Sequence, residues 1–192
     1  MGNTRDSRRH LNPHGDLPEV DATAYVDPSA QVIGRVRIGP RVFIGPCAVI
    51  RADEADASGR VQPIEIGAEC NVQDGVIIHA LGGTRVTIGS RTSLAHGCII
   101  HGPCSVGEGC FIGFRAVVFD ADLGDGVFVG TGAVVEAVTL ASGALVPSAV
   151  SILSPEGVAG LAKTGPTEQA FMERVIAANL GLVEGYRGAR GT

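Results

Sequence analysis

The feature that most constrains this 192-residue chain is an apolar residue that recurs every six positions. The row begins Val26, Val32, Ile38, Ile44, Ile50, resumes at Ile66, Val72 and Ile78, and runs on through Ile88, Leu94, Ile100, Val106, Ile112 and Val118. After a five-residue step it continues with Leu123, Val129 and Val135, and after another with Leu140, Val146 and Ile152. A period of six fits neither the 3.6 of a helix nor the two of a plain strand. It is the signature of a parallel β-helix, in which each hexad is one short strand and one turn. Twenty rungs at three per coil predict an all-β solenoid of about seven coils, each burying its apolar row only by stacking on the next. Gly often follows the apolar residue, as in Ile38-Gly39, Ile88-Gly89 and Val106-Gly107, and is read as the residue that tolerates the turn.

A second row supports the same register. The fourth residue after many anchors is small: Ala30, Ala48, Cys70, Cys98, Cys104, Cys110, Ala116 and Ala133. Four of the five cysteines fall in this row, and Cys47 is one position off. Buried free cysteine behaves as a small hydrophobe. There is no CxxC pair, so the thiols read as packing residues in a reducing, cytoplasmic setting.

The boundaries follow from where the period fails. Residues 1–19 are polar, hold Arg5, Arg8, Arg9, His10 and His14, and offer no apolar stretch for a secretory signal, so they read as a flexible N-terminal arm. The β-helix spans 20–153, interrupted by loops near Asp53–Pro63 and Ala80–Arg85. A Gly- and Pro-containing linker at 154–166 precedes a helix at 167–187, with Thr167 as N-cap and Glu168 in its first turn, and a tail at 188–192. Phe171, Val175, Leu182 and Tyr186 share one face of that helix, which predicts that it packs along the outside of the solenoid. Hydrophobic content of 45% suits one domain with a real core, and aromatic content of 4% suits a narrow interior filled by Val and Ile. A net charge of −5, without a basic run beyond the start, argues against nucleic acid and anionic membrane as partners.

The repeat also phases three histidines. His79 follows Ile78 and His101 follows Ile100, three rungs on, so the two hold the same position one coil apart. Adjacent coils stack about 4.8 Å apart, close enough for two imidazoles to converge on one ion. His96 lies two residues after Leu94, on a preceding face. One subunit cannot easily close a three-histidine site, but a cyclic trimer brings the corner of one subunit to the face of the next and can complete it. Three imidazoles with an open fourth position suit zinc, and also iron or cobalt. Solvent-facing histidines without a role are the plainer reading, and the clustering and phasing argue against it. Asp74 falls one coil below His96 and Arg51 one coil below His79. Gln73 is placed to touch a hydroxide at such a centre, and Asp74 to orient Gln73 or a histidine ligand. Turn hydrogen bonds and intersubunit ion pairs are the simpler readings for Asn71, Arg51 and Asp53.

The segments Arg51-Ala52-Asp53-Glu54, Asn71-Val72-Gln73-Asp74-Gly75, Ser93-Leu94-Ala95-His96, Ile100-His101-Gly102-Pro103 and Phe111-Ile112-Gly113-Phe114-Arg115-Ala116 resemble the γ-class carbonic anhydrases, a likeness that runs from about residue 20 to Tyr186. The Gly-Phe-Arg element is also similar to the anhydrase-like domain of carboxysomal scaffold proteins. The resemblance implies a left-handed parallel β-helix of hexapeptide repeats with a C-terminal α-helix packed alongside. It implies a homotrimer with a metal at each of three interfaces and reversible hydration of carbon dioxide to bicarbonate. It makes His79, His96 and His101 the ligands, Gln73 the hydrogen-bond partner of the hydroxide, Asn179 a residue that positions carbon dioxide, and Glu54 a proton-transfer group. Arg51, Asp53 and Asp74 would hold the interface and the site network. One departure stands out: the family's long acidic loop between the first two histidines is short here, and Gly82 stands roughly where its proton-shuttling glutamate would be. Two other readings remain. One is a non-catalytic, metal-binding assembly subunit, with a bacterial microcompartment as an alternative location within the cytoplasm. The other is a hexapeptide-repeat acyltransferase, which would need one histidine and no metal.

Overall fold

The computed structural model describes residues 8–190. They wind into a parallel β-solenoid of about seven coils, with a helix laid along one side. The helix-bearing face consists of Tyr25–Val26, Phe43–Ile44, Asn71–Val72, Ser93–Leu94, Phe111–Ile112, Phe128–Val129 and Ala144–Val146, one strand per coil. A second face, called here the histidine face, contains Gln31–Gly34, Val49–Ala52, Ile77–Ala80, the first halves of Ile99–Val106 and Val117–Leu123, Val134–Glu136 and Ser151–Ile152. The two long strands carry on round a corner into the third face, so those two faces form one 13-stranded sheet.

The six-residue row is the interior. Ile44, Ile50, Ile78, Leu94, Ile100 and Ile112 are fully buried, and each such side chain withdrawn from water contributes roughly 1.5–3 kcal/mol. The small row packs beside it, with Cys70, Cys98, Cys104 and Cys110 buried and Cys47 exposed. Burial pushes the thiols of Cys70, Cys98 and Cys104 up to about 12 and that of Cys110 up to about 11.

The glycine after each anchor has a different reason from the one expected. Left-handed turn residues stand further along, stacked as Arg41, Glu69, Arg91, Gly109, Gly126 and Gly143 in one corner and as Cys47, Gly75, Gly97, Arg115, Gly132 and Ala149 in the next. Gly89 is not among them. A Cβ there would lie 2.5 Å from the carbonyl carbon of Gly107 one coil on, so close approach of successive coils demands the glycine.

Both ends depart from the sequence expectations. Residues 8–19, read as part of a flexible arm over 1–19, are built into the solenoid. Arg9–His10 pairs in parallel with Val32–Ile33, Glu19–Val20 pairs with Arg37–Ile38, and buried Asn12 donates to the Ala52 carbonyl at 3.1 Å. The first coil otherwise ends in unpaired N–H and C=O groups, and this segment satisfies them. The rest of that expected arm, residues 1–7, lies outside the described residues.

At the other end, the expected linker contains helix α1 (Pro155–Ala159) and a strand, Ala162–Lys163, that runs antiparallel to Ala144–Val146. Helix α2 spans Pro166–Arg190, one residue earlier and three later than expected. Thr167 lies inside it rather than capping it; the Gly165 N–H instead donates to Glu168 at 2.8 Å. Its buried face is Met172, Ile176, Asn179 and Val183, flanked by half-buried Phe171 and Val175. Leu182 and Tyr186 are 43% and 47% exposed, although Tyr186 still stacks on Tyr25 at 4.7 Å. Glu69 bridges Arg41 and Arg91 from successive coils, and these arginines reach Glu184 and Glu173 on α2. No helix among the described residues is long and apolar enough to cross a membrane.

The burial of the thiols sets an outcome for chemical labelling, because thiol reagents act on accessible thiolates. In the folded protein at mild alkaline pH, Cys70, Cys98, Cys104 and Cys110 should stay unlabelled until denaturant is added. Cys98→Ala should lower unfolding stability by roughly 1 kcal/mol, as a small buried deletion does. Rapid labelling of more than one thiol per chain in the native state would contradict this packing.

Candidate metal centre

Parallel strands in register place each outward residue directly over its counterpart one coil away. On the histidine face this produces a column: His10, Ile33, Arg51, His79, His101, Phe119 and Glu136. The two candidate ligands are adjacent in it, with His79 Nδ1 and His101 Nε2 3.2 Å apart and the rings tilted by 76°. Arg51 lies one coil below His79, so the intervening loop does not disturb the phase.

The hydrogen bonds assign the protons. His101 Nδ1 lies 3.0 Å from the Gly102 carbonyl, which only accepts, so Nδ1 carries the proton and Nε2 presents a lone pair. With both rings neutral, His79 Nδ1 would donate to that lone pair and His79 Nε2 would be left bare. It is buried without a hydrogen-bond partner, 3.4 Å from Asp53 Oδ1 and 3.4 Å from Glu54 Oε1, and Asp53 Oδ1 is likewise unpartnered. A lone pair facing two carboxylates is unfavourable. Protonating His79 would relieve it, but burial first, and then the charge of Arg51, holds that imidazole below its usual pKa.

A metal ion held by the two rings would remove the conflict. Both facing nitrogens become lone-pair donors, and their 3.2 Å separation is close to the about 3.3–3.4 Å between two nitrogens on one tetrahedral zinc with bonds of about 2.0–2.1 Å. His79 Nε2 would then carry hydrogen toward Asp53, the carboxylate support that ligand histidines usually have. Arg51 donates to the other oxygen of Asp53 at 2.8 Å and holds it in place. The pair therefore fits a metal. Among the described residues, no group of three or more His, Cys, Asp or Glu side chains within one chain is placed to hold an ion.

The remaining candidates form a second cluster. Asp74, His96 and Phe114 stack in the corner between the helix-bearing and histidine faces. His96 Nδ1 lies 3.6 Å from Asp74 Oδ2, and its ring is parallel to that of Phe114. Four residues, the turn glycine Gly97 and then Cys98, Ile99 and Ile100 running into the strand, separate His96 from His101, which puts them at opposite edges of the histidine face. Beside Asp74, the Gln73 amide nitrogen donates to Asn71 Oδ1 at 2.6 Å and to Asn179 Oδ1 at 2.7 Å. Asn179 in turn donates to the Val175 carbonyl of its own helix at 2.8 Å. Both amide hydrogens of Gln73 are thus committed, and its carbonyl oxygen makes no hydrogen bond among the described residues.

The two loops that interrupt the repeat pack side by side next to His79. Glu54 Oε2 accepts the Gly82 N–H at 3.2 Å, while Oε1 faces His79 Nε2. A Cβ on Gly82 would lie 2.4 Å from the Ala55 carbonyl oxygen, so no other residue fits there without parting the loops. Phe119 was not singled out from the sequence, although it follows Val118 as His101 follows Ile100; it meets His101 edge to face at 5.3 Å. Beside the histidine column runs an apolar one, Val49, Ile77, Ile99, Val117 and Val134, with Ile77 42% exposed.

A family model for the hexapeptide repeat of succinyl-transferase matches residues 103–137. The carbonic anhydrase of Methanosarcina thermophila is 34% identical over 198 aligned residues, covering 92% of this chain and 77% of that protein. The carboxysome assembly protein CcmM of a Nostoc species is 38% identical over 88% of this chain, which spans only 31% of CcmM. A crystal structure of a hexapeptide transferase family protein from Anaplasma phagocytophilum shares the fold, with a TM-score of 0.79 at 24% identity, over 95% of this chain and 99% of that one.

The contact between the loops can be tested directly. Gly82→Ala should destabilise the protein by about 1–3 kcal/mol, the usual cost of overpacking, as read from denaturant unfolding. An unchanged midpoint would mean that the two loops are not packed as described.

Proposed function

The chain belongs to the γ-class carbonic anhydrase family, and from that premise we propose that it hydrates carbon dioxide reversibly to bicarbonate as a homotrimer. In this reading each subunit interface holds one metal ion, zinc before iron or cobalt, bound by His79 and His101 of one subunit and His96 of the next. The observation that carries it is the pair of facing nitrogens on His79 and His101, with the far nitrogen of His101 on the Gly102 carbonyl and that of His79 facing Asp53 Oδ1 at 3.4 Å. The apolar column beside them offers a seam along which a second copy can pack, and His96, half exposed on the opposite edge, is the ligand that copy would bring.

A bound zinc ion supplies Lewis acidity that brings the pKa of water down toward 7. The chain supplies orientation and proton handling. Gln73, fixed by Asn71 and Asn179, presents its carbonyl oxygen as a hydrogen-bond acceptor that can orient the attacking oxygen. Asn179 holds that amide from helix α2, which ties the helix to the site. Arg51 neutralises Asp53, so that His79 is supported without an excess of negative charge. Glu54, 44% exposed, keeps one oxygen beside His79 and the other on the Gly82 N–H, and it is placed to take a proton and pass it to water. Because Gly82 occupies the place of the family's shuttle glutamate, Glu54 carries proton export alone, which predicts a rate limited by that step.

The same observation at Gly82, together with the likeness to CcmM, favours a second reading. In it the chain keeps the metal and the trimer but has lost turnover, and serves as an assembly subunit in a reducing cytoplasmic compartment.

Stopped-flow hydration assays on protein of measured metal content separate the two readings, since full occupancy without turnover selects the second. His79→Ala and His96→Ala homotrimers should each bind no metal, while trimers refolded from a mixture of the two should regain part of it. Mixed trimers with no metal would rule out a site shared between subunits. Asn179→Leu should lower hydration turnover by roughly tenfold or more while metal content and oligomeric state stay unchanged. A change in thermal stability alone would make Asn179 a packing residue.

A further inference from the structure

Phe114 is a large apolar side chain left 44% exposed, and the chemistry described above gives it no task. Coil stacking sets it directly above His96, as it sets Asp74 directly below: the Gly97 N–H bonds the Asp74 carbonyl and the Arg115 N–H bonds the His96 carbonyl. The side chain of His96 is 51% exposed, and an imidazole so exposed turns freely unless its neighbours hold it. Here Asp74 Oδ2 stands 3.6 Å from Nδ1. The Phe114 ring lies 5.7 Å away between centroids with its plane only 6° off, an offset parallel stack. Phe114 is itself braced, edge-on against buried Phe111 at 6.5 Å. Phe111 stacks on Phe128 at 4.9 Å and meets Phe171 of helix α2 at 5.1 Å. A train of rings thus runs from the docked helix to the third histidine.

The geometry points to Phe114 as a positioning residue that fixes the imidazole plane of His96, keeping Nδ1 on Asp74 and Nε2 free for an ion shared with the neighbouring subunit. The inference rests on the split metal site proposed above. Holding a ligand in place beforehand removes the loss of freedom that binding would otherwise require, and removing such support typically weakens metal affinity by roughly 10–100-fold.

The test has two measurements. In the metal-free protein, proton NMR should show the His96 ring resonances, identified by their loss in His96→Ala, displaced upfield by the Phe114 ring current. In Phe114→Leu they should move back toward the position of an unstacked imidazole. Zinc affinity, measured by chelator competition on protein confirmed as trimeric, should fall roughly 10–100-fold in Phe114→Leu and stay at the unaltered level in Phe114→Tyr. If His96→Ala binds zinc as well as the unaltered protein, the split-site reading fails. If His96→Ala loses zinc while Phe114→Leu keeps full affinity, the inference about Phe114 fails alone. It fails equally if Phe114→Tyr is as weak as Phe114→Leu. An undisplaced His96 resonance in the unaltered protein also overturns it, and needs no variant at position 114 to fold or assemble.

Discussion

In-register stacking of parallel coils is the constraint on which the rest of this molecule depends. Each coil satisfies its backbone only through the next, at a spacing of about 4.8 Å, and that spacing applies to whatever stands on the outside as strictly as to the core. It makes neighbours of residues 22 positions apart, His79 and His101, and also of Asp74 and His96. The same spacing sets Glu69 between Arg41 and Arg91. A functional column on a solenoid is therefore a by-product of the period that fills its core.

Helix α2 is the second organising element. It cannot bury its apolar face alone, and Met172, Ile176 and Val183 find cover on the helix-bearing face. Individually exposed ion pairs such as Arg91–Glu173 and Arg41–Glu184 contribute at most about 1 kcal/mol each, so apolar docking carries the attachment and the pairs align it. Alignment matters because the helix reaches the candidate site twice, through Asn179 on Gln73 and through Phe171 in the ring train that ends at His96.

The polar groups next to His79 are arranged against the interest of an isolated chain. A buried imidazole nitrogen facing two carboxylate oxygens, one of them also unpartnered, is costly unless a cation or a proton intervenes. A metal ion held by the facing nitrogens of His79 and His101 would relieve it. The same loops leave no room for a side chain at position 82, because the Ala55 carbonyl and the Glu54 carboxylate close on the glycine.

The period of six was enough to set the solenoid, its interior rows, the burial of four cysteines and the stacking of His79 on His101 with Arg51 beneath, because all of these are consequences of phase along one chain. Phase is a local property and sequence displays it. What lay outside the phase was decided by tertiary contact. Residues 8–19 carry no hexad and look like a free arm, yet the open end of the first coil offers them hydrogen bonds that no pattern in their own sequence announces. The helix turned its contact face by one position, from Phe171, Val175, Leu182 and Tyr186 toward Met172, Ile176, Asn179 and Val183, since apolar residues occupy both stripes and only the shape of the sheet beneath selects one. The proton on His79, the contact of Glu54 with Gly82, the bond from Gln73 to Asn179 across 106 residues and the stack of Phe114 on His96 all depend on orientation at the scale of an ångström. Residue order alone does not encode such orientation; it is settled only when separate segments close on one another.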